Sequence, residues 1–443
     1  MALNAAQQWW MRAGGLETNG GGFDATISGA GTNYADQDSP QLSITDLTST
    51  NSTTATSALS TFTSQMVGNI LRLASGTGTT PAYYAIVAYV SASQVTLDRV
   101  SGTYTAGVAK VGGAHPSIAQ YSNGGTITAP AIASPLAAGH IVNIRGAGSA
   151  DPGSADYTYG ASIYASFPAG DTTNGRIRWI GYNGRPRFDA NDLLFYNLTG
   201  HAFSHVKFFV TAAAFVTYGV VNGVAATVVE DCVFDANGID TVGAKVTAAY
   251  GNWFKNTGST SVGTNTRPAL YGLQYNSIMM GNVIDSWRGD GIYVTAVMGA
   301  ITFNIVVNCK VNGIELNGTV ESYGILVMNN TVNANTGDGI KLDDVPSVWT
   351  AMIRNNILTA NGGYGINDSV GSTALNDRTV PPNANDYNDF GTGGTANTSG
   401  ARHFMSAGTH DLALDPQFTN TGAGDYSVGT NMKAVAFPGP FAS

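Results

Sequence analysis

The sequence predicts an all-β fold, a chain wound into a parallel β-helix behind a small N-terminal β module, and three observations carry that expectation. Asn282, Asn304, Asn330 and Asn356 each stand nine residues before a Gly-Ile pair, at Gly291-Ile292, Gly313-Ile314, Gly339-Ile340 and Gly365-Ile366. The steps between these asparagines are 22, 26 and 26 residues. Insertions therefore fall outside a constant offset, as they do when one structural unit is stacked and its excursions become loops. Apolar residues follow each Asn and each Gly with the period of two that belongs to strands. Finally, a chain with 56 Gly, 43% hydrophobic residues and 11% charged residues lacks the Glu, Lys and Leu content of a helical protein.

Residues 1–114 read as the separate module. Thr- and Ser-rich text from Ser43 to Thr63 precedes Gly68 to Leu73, Tyr84 to Val87 and Gln94 to Asp98, short strands between Gly and Ser turns that are expected to pair antiparallel. Gly112-Gly113-Ala114 marks the exit, and such a module can cap the open first rung of a solenoid. The coil is expected over 115–390. Its early rungs are faintly marked, at Val142-Asn143-Ile144, Arg178-Trp179-Ile180, Val206-Lys207-Phe208 and Cys232-Val233-Phe234, and Asn252-Trp253-Phe254 is the first to carry the Asn. Asp386-Tyr387-Asn388 begins a closing rung, leaving 391–443 as a C-terminal capping segment.

Strands of a few residues cannot each bury their own apolar face, whereas stacked rungs bury a continuous one. Ile292, Ile314, Ile340 and Ile366 are expected to form an inward stack, with Tyr293, Glu315, Lys341 and Asn367 in the outward column beside it. The recurring Asn suits a bend, because it tolerates left-handed backbone and its amide satisfies backbone groups. Copies stacked at about 4.8 Å can also bond to one another.

Several classes are excluded or disfavoured. A net charge of −9 argues against a nucleic-acid groove, which needs clustered Lys and Arg. The one basic concentration, Arg176, Arg178, Arg185 and Arg187, reads as a solvated face. Cys232 and Cys309 make neither a disulfide scaffold nor a zinc spacing and are expected in the core. Met1 to Gly15 lacks the apolar core of a signal peptide. The 22 uncharged residues from Phe208 to Val229 could span a bilayer on paper. Thr211, Thr217, Gly219, Asn222, Gly223 and Thr227 interrupt them, and two buried strands and a turn explain them better. Asn19 to Phe23 is Gly-rich without the Lys-Ser/Thr ending of a phosphate loop, and no Gly-x-Ser-x-Gly elbow occurs. No cofactor and no metal are expected.

Both ends resemble a known group. Trp10 to Gly15, Thr18 to Phe23, Phe62 to Leu73, Ser75-Gly76-Thr77, Thr96 to Arg99 and Gly112-Gly113-Ala114 look like the leader of right-handed parallel β-helix repeat proteins found among tailed-phage virion genes and environmental virus sequences. His410-Asp411-Leu412, Asp415 to Phe418 and Gly424-Asp425-Tyr426 resemble the closing segment common in the broader β-helix group. The resemblance implies a right-handed coil and a virion-surface role, often as trimers. Its motifs describe architecture, not chemistry.

Many parallel β-helices cleave acidic polysaccharides, and those enzymes carry recognisable motifs. No Asp cluster with a catalytic Arg or Lys on adjacent rungs, resembling pectate lyases, is present. Polygalacturonase-like order is broken: Asp343-Asp344 occurs, but no Gly-His-Gly follows and no His lies between His205 and His403. One carboxylate pair remains. Asp290, Asn312, Asp338 and Tyr364 each precede a Gly-Ile pair, so Asp290 and Asp338 should share a column two rungs apart. At about 4.8 Å per rung that is roughly 9 to 10 Å, near the upper end of the separation in inverting glycosidases. The competing reading is ordinary turn chemistry in Asp-Gly. Glu315 and Lys341, on successive rungs, read as a surface ion pair worth well under about 1 kcal/mol. Trp287, Tyr293 and Trp349 are candidates either for stacking on sugars or for packing within protein.

The expected function is therefore structural and non-catalytic, a capsid decoration or a head or tail spike on the virion surface, assembled in the host cytoplasm. A tailspike-type depolymerase, whether glycoside hydrolase or polysaccharide lyase, and a glycan-binding adhesin are the alternatives. Expected partners are other virion proteins and cell-surface glycans, with no nucleic acid and no membrane span. A homotrimer is expected if one long side of the coil exposes short apolar and Thr side chains.

Overall fold

The computed structural model describes residues 8–22, 38–125, 127, 132, 134–149, 152–159, 165–171, 173–191, 194–211, 221–257, 267–272, 276–295, 298–317, 322–343, 349–368, 385–391, 402–403, 411–421 and 425–426. It forms two compact units, Met1–Lys207 and Phe208–Ser443. The fold is all-β: apart from two short 3-10 turns, every described element is a strand.

In the first unit, six strands close into an antiparallel barrel: Leu42–Thr50, Thr54–Thr56, Ile70–Thr77, Ala82–Ser91, Gln94–Leu97 and Thr103–Val111. Alternate residues point inward, and Ile44, Leu47, Leu71, Leu73, Ile86, Val95, Leu97, Tyr104 and Val111 fill the middle. Closure removes the edges that an open small sheet would present. The remaining strands of this unit pair mostly in parallel. Gln8–Met11, Ile141–Arg145, Ile177–Tyr182 and His201–Ser204 lie side by side, so the first strand of this sheet comes from residues ahead of the barrel. Trp9, Trp10 and Met11 are fully buried there, and that apolar triplet explains why the segment leaves the module and docks in the coil. His115 is enclosed by Trp9, Tyr83 and Tyr121, and burial holds its imidazole neutral, with a pKa lowered to about 3.

The second unit is a parallel β-solenoid in which six successive rungs each carry three strands among the described residues. One rung shows the plan. Ser277–Met280 lies in sheet one, Val283–Asp285 in sheet two and Ile292–Val294 in sheet three, before the chain climbs to Gly299–Thr302 in sheet one again. The strands pair in register, save for one shift between Ser322 and Ile325 where Ser322–Met328 meets Trp349–Arg354, and Ile292, Ile314, Ile340 and Ile366 stack as fully buried neighbours. Met279, Ile301, Val327 and Ile353 line sheet one inward, and Ile284, Val306, Val332 and Leu358 do the same in sheet two. The three inward columns form one continuous apolar core.

The nine-residue offset spans the connection from sheet two to sheet three, which has constant length in the later rungs. Length varies instead between sheets three and one, where 296–297, 318–321, 344–348 and 369–384 lie outside the described residues. Asn252, Asn282, Asn304, Asn330, Asn356 and Asn388 line the bend into sheet two, inside the coil. Each Asn Nδ2 donates to the Oδ1 of the next at 2.9–3.0 Å. Each Oδ1 also accepts the backbone N–H of the preceding Asn at 2.9–3.1 Å. The second Nδ2 hydrogen reaches a sheet-one carbonyl, as Asn304 does to Met279 at 2.9 Å. Cys232 N–H feeds the first amide, and Asn388 N–H donates to Asp411 Oδ1 at 3.0 Å at the far end.

One expectation is corrected here. The left-handed residue is not the ladder Asn but the one before it: Gly251, Gly281, Phe303, Asn329, Asn355 and Tyr387 all have φ between 56° and 69°. A second left-handed column, Ser286, Asn308, Ala334 and Ala360, closes the other end of sheet two. Two sharp bends thus bracket the three-residue strands of the four later rungs, while the ladder Asn supplies hydrogen bonds rather than backbone strain.

The glycines of the ruler have another cause. A Cβ on Gly313 would press on Val332 and stand 2.7 Å from the Gly339 carbonyl oxygen, and one on Gly339 would stand 2.6 Å from the Gly365 oxygen. Gly291 and Gly365 share this column, which allows backbone to lie directly on backbone. Gly313→Ala is expected to cost about 2–4 kcal/mol in a urea melt, because the neighbour it meets is main chain that cannot rotate away.

Candidate functional site

The outward column of sheet three gathers the chemistry. Lys245, Tyr271, Tyr293, Glu315, Lys341, Asn367 and His403 occupy equivalent places on successive rungs. The Tyr271 and Tyr293 rings lie 5.2 Å apart, and the Lys245 ammonium sits 5.2 Å over the Tyr271 ring. Inward-facing isoleucines and leucines on the same strands hold this column flat, because the strand period sends alternate residues to opposite faces.

Beside it runs the column that ends the turn before sheet three. Asp290 Oδ1 accepts Asn312 N–H at 2.9 Å, Asn312 Oδ1 accepts Asp338 N–H at 2.9 Å, and Asp338 Oδ1 accepts Tyr364 N–H at 2.7 Å. Asp290 and Asp338 are 2% and 8% exposed. The second Asp338 oxygen accepts the Asn367 amide at 2.8 Å. The carboxylate pair singled out in the sequence is thus placed two rungs apart, with the Asn312 amide between them. Each carboxylate holds the backbone of the rung above.

Glu315 is where the surface expectation fails. It is 8% exposed, and its Oε2 accepts the Asn312 amide at 2.8 Å. Lys341 lies 3.7 Å from Glu315 but 2.6 Å from Asp343. The Asn312 amide draws Glu315 back into the turn, so the pair is a buried acid beside a half-buried ion pair. Three carboxylates, Asp290, Glu315 and Asp343, consequently face one ammonium. Burial, then repulsion from Glu315, raises the Asp290 pKa to about 7. Burial raises Glu315 as well, against the pull of Lys341. Burial and the neighbouring Tyr271 hold the Tyr293 phenol protonated.

Other sequence candidates separate. Trp287 is 1% exposed and its indole N–H donates to the Thr241 and Arg267 carbonyls, so it packs in the core and cannot stack on a sugar. The Trp349 side chain and Asp344 lie outside the described residues. Arg187, expected on a solvated face, is 7% exposed and makes a two-pronged pair with Asp189 at 2.5 and 3.0 Å. Arg176 and Arg178 are exposed. Cys232 and Cys309 are free and buried, and burial raises the Cys309 thiol far above its ordinary range. Among the described residues no group of three or more His, Cys, Asp or Glu could hold a metal ion, and no helix is long and apolar enough to cross a membrane.

Sequence reasoning missed Lys245 and Tyr271. In their rungs the connection from sheet two to sheet three is longer, so they do not stand at the constant offset. It also missed a second amide ladder. Asn335 Nδ2 donates to Asn361 Oδ1 at 3.0 Å, and Cys309 N–H donates to Asn335 Oδ1 at 2.9 Å. The signal was legible: Asn335 and Asn361 stand five residues after Asn330 and Asn356, where Cys309 follows Asn304.

Comparison with known proteins gives one match. The family model for the right handed beta helix region covers residues 218–379, which includes all four rungs of the sequence ruler. Neither the curated proteins nor the solved structures contain a match.

Proposed function

We propose that this right-handed β-helix protein is a structural component of a tailed-phage virion surface, a capsid decoration or a head or tail spike, without turnover of its own. The observation that carries the reading is the use made of Asp290 and Asp338. Each gives an oxygen to a backbone N–H of the next rung, so the pair that sequence offers for sugar cleavage serves as turn structure. The resemblance of both chain ends to virion β-helix proteins supplies the particle context. In this reading the protein is assembled in the host cytoplasm and meets other virion proteins, and neither a cofactor nor nucleic acid takes part.

Two measurements test it. Antibody raised against the purified chain should label intact particles in electron micrographs. Incubation with host capsule or exopolysaccharide should produce no new reducing ends and no unsaturated products. Sustained release of either product would overturn the non-catalytic reading.

A second reading has its own observation. The neighbouring, mutually tilted Tyr271 and Tyr293 rings beside Lys245, Glu315 and Lys341 form a polar and aromatic strip suited to a glycan, as an adhesin or a depolymerase would need. If cleavage is found, Asp290→Asn with Asp338→Asn should abolish it, and unaffected turnover would remove that pair from catalysis.

A further inference from the structure

We infer that the outer face of the barrel, where residues 18–22 lie on it, binds a small inorganic oxyanion of the phosphate or sulfate kind through Arg72, Tyr83 and Lys110. The three are register partners on adjacent strands, Arg72 opposite Tyr83 on one side and opposite Lys110 on the other. Leu71, Leu73, Tyr84, Ala109 and Val111 beside them fill the barrel, so strand alternation turns these three outward. Arg72 and Tyr83 are covered there, and Lys110 is half-buried at the edge. Gly20 and Gly21 N–H donate to the Gly112 and Gly113 carbonyls at 2.8 and 2.9 Å, and the Trp9 ring meets the Tyr83 ring edge-to-face at 5.7 Å between centroids. A Cβ on Gly20 would strike the Ile70 carbonyl oxygen, and one on Gly21 would stand 2.6 Å from His115 Nε2. The segment is glycine-rich because its main chain must press directly on the barrel.

Charge and hydrogen bonding are both left unbalanced at this face. Arg72 is 9% exposed and its Nη1 donates to the Thr18 carbonyl at 3.1 Å, while Lys110 Nζ donates to Thr18 Oγ1 at 2.5 Å. Both acceptors are neutral, and among the described residues neither cation makes an ion pair. Elsewhere the chain matches its enclosed arginines, Arg99 with Asp98 at 2.7 Å and Arg187 with Asp189 at 2.5 Å. Arg72 Nε, the Tyr83 hydroxyl and both His115 ring nitrogens are buried with no hydrogen-bond partner among the described residues. Burial, then the Arg72 charge, lowers the pKa of both Lys110 and His115, as an uncompensated positive field does. A buried cation without a counter-charge is costly, and buried polar groups in folded proteins are nearly always bonded.

An oxyanion answers both deficits at once. Arg72 Nε–H and the Tyr83 O–H are donors, and the Lys110 ammonium keeps hydrogens beyond the one given to Thr18. A water molecule satisfies hydrogen bonds but brings no charge, and a chloride ion brings charge without the separate acceptor oxygens that suit a guanidinium fork. Phosphate and sulfate bring both. Lys110, at the half-buried edge, marks the side from which such an ion enters. Once bound, the ion joins the barrel strands to residues 18–22, which follow the strand Gln8–Met11 of the coil sheet. It thus fastens the barrel to the first coil strands.

The test uses the full chain, dialysed into a chloride buffer. Calorimetric titration with phosphate or with sulfate at constant ionic strength should show a single saturable site per chain, and the melting temperature should rise as that site fills. Sodium chloride at matched ionic strength should give no such rise. Lys110→Gln should fold as the parent does and bind about tenfold more weakly, the loss of one charge-assisted hydrogen bond. Tyr83→Phe keeps the ring against Trp9 and should weaken binding severalfold. Crystals grown with selenate should place the selenium anomalous peak beside Arg72. Absence of saturable binding of either anion would overturn the inference, whether Arg72 is then answered by water or by a carboxylate from residues 23–37. So would binding that both variants leave unchanged, or an anomalous peak away from Arg72.

Discussion

Replacing Asn304 with leucine is expected to unfold the coil around it. Leucine fills much the same volume, so the loss is one of hydrogen bonding rather than packing. The Asn304 amide accepts Asn282 N–H at 3.0 Å and Asn282 Nδ2 at 2.9 Å, and it donates to the Met279 carbonyl at 2.9 Å and to Asn330 Oδ1 at 3.0 Å. All of these groups are buried, and none can turn to water when the amide is gone. Each stranded group costs about 1–3 kcal/mol, so the substitution should cost about 4–6 kcal/mol. Native domains hold only about 5–15 kcal/mol in total. Urea melts of Asn304→Leu should therefore show a collapsed midpoint or no soluble protein. Asn329→Gly, one residue outside the ladder and at φ 58° in the left-handed column, should leave the midpoint nearly unchanged. Equal behaviour of the two variants would show that the amide column does not hold the rungs together.

The second large effect has the opposite sign. Asp290→Asn should stabilise the protein at pH 8 and do little at pH 4. The carboxyl is 2% exposed, and its pKa stands at about 7 in the fold against 3.8 in the unfolded chain. A raised carboxyl costs stability wherever the fold must hold it ionised. The cost is complete above pH 7, and it vanishes as the pH falls towards 3.8 and the native state takes up the proton. About three pK units correspond to at most about 4 kcal/mol, and a gain of about 2–4 kcal/mol is expected at pH 8. Asparagine keeps an oxygen for Asn312 N–H, as Asn312 itself does for Asp338. The buried His115 and His201, whose pKa values burial lowers to about 3 and about 4, weaken the fold as the pH drops below about 6.5. That trend is common to both proteins and cancels when the difference between variant and parent is plotted against pH. A variant less stable than the parent at both pH values would mean that the ionised carboxylate is held by a bond that the amide cannot replace.

The same residues mark how far sequence could be read. Ile292, Ile314, Ile340 and Ile366 stack because any parallel coil with a constant connection between two sheets must bring them into register. Where the connection changes length, as before Tyr271, the ruler loses its phase. Strands of the first unit such as Ile141–Arg145 and Ile177–Tyr182 were legible as strands, but they pair in a sheet with Gln8–Met11. That pairing joins residues more than a hundred positions apart, and no local pattern announces it.

The candidate site was legible in its column assignments and not in its burial. Asp290 and Asp338 fall where their spacing puts them, yet spacing says nothing of the oxygens each lends to the next rung. Glu315 looks like a solvent residue because it occupies an outward position. It is buried because Asn312, three residues earlier and across a bend, offers it an amide at 2.8 Å.

By itself, then, the amino-acid order determined a coil of short parallel strands, its register over the later rungs, and the identity of the stacked amides and isoleucines. Those properties follow from periodicity, which is written along the chain. Three-dimensional packing alone decided which residue of each bend turns left-handed, that a barrel closes upon itself, and that Trp287 and Arg187 lie inside. Each of these depends on what lies across the fold rather than along it, and distance along the chain carries no record of that.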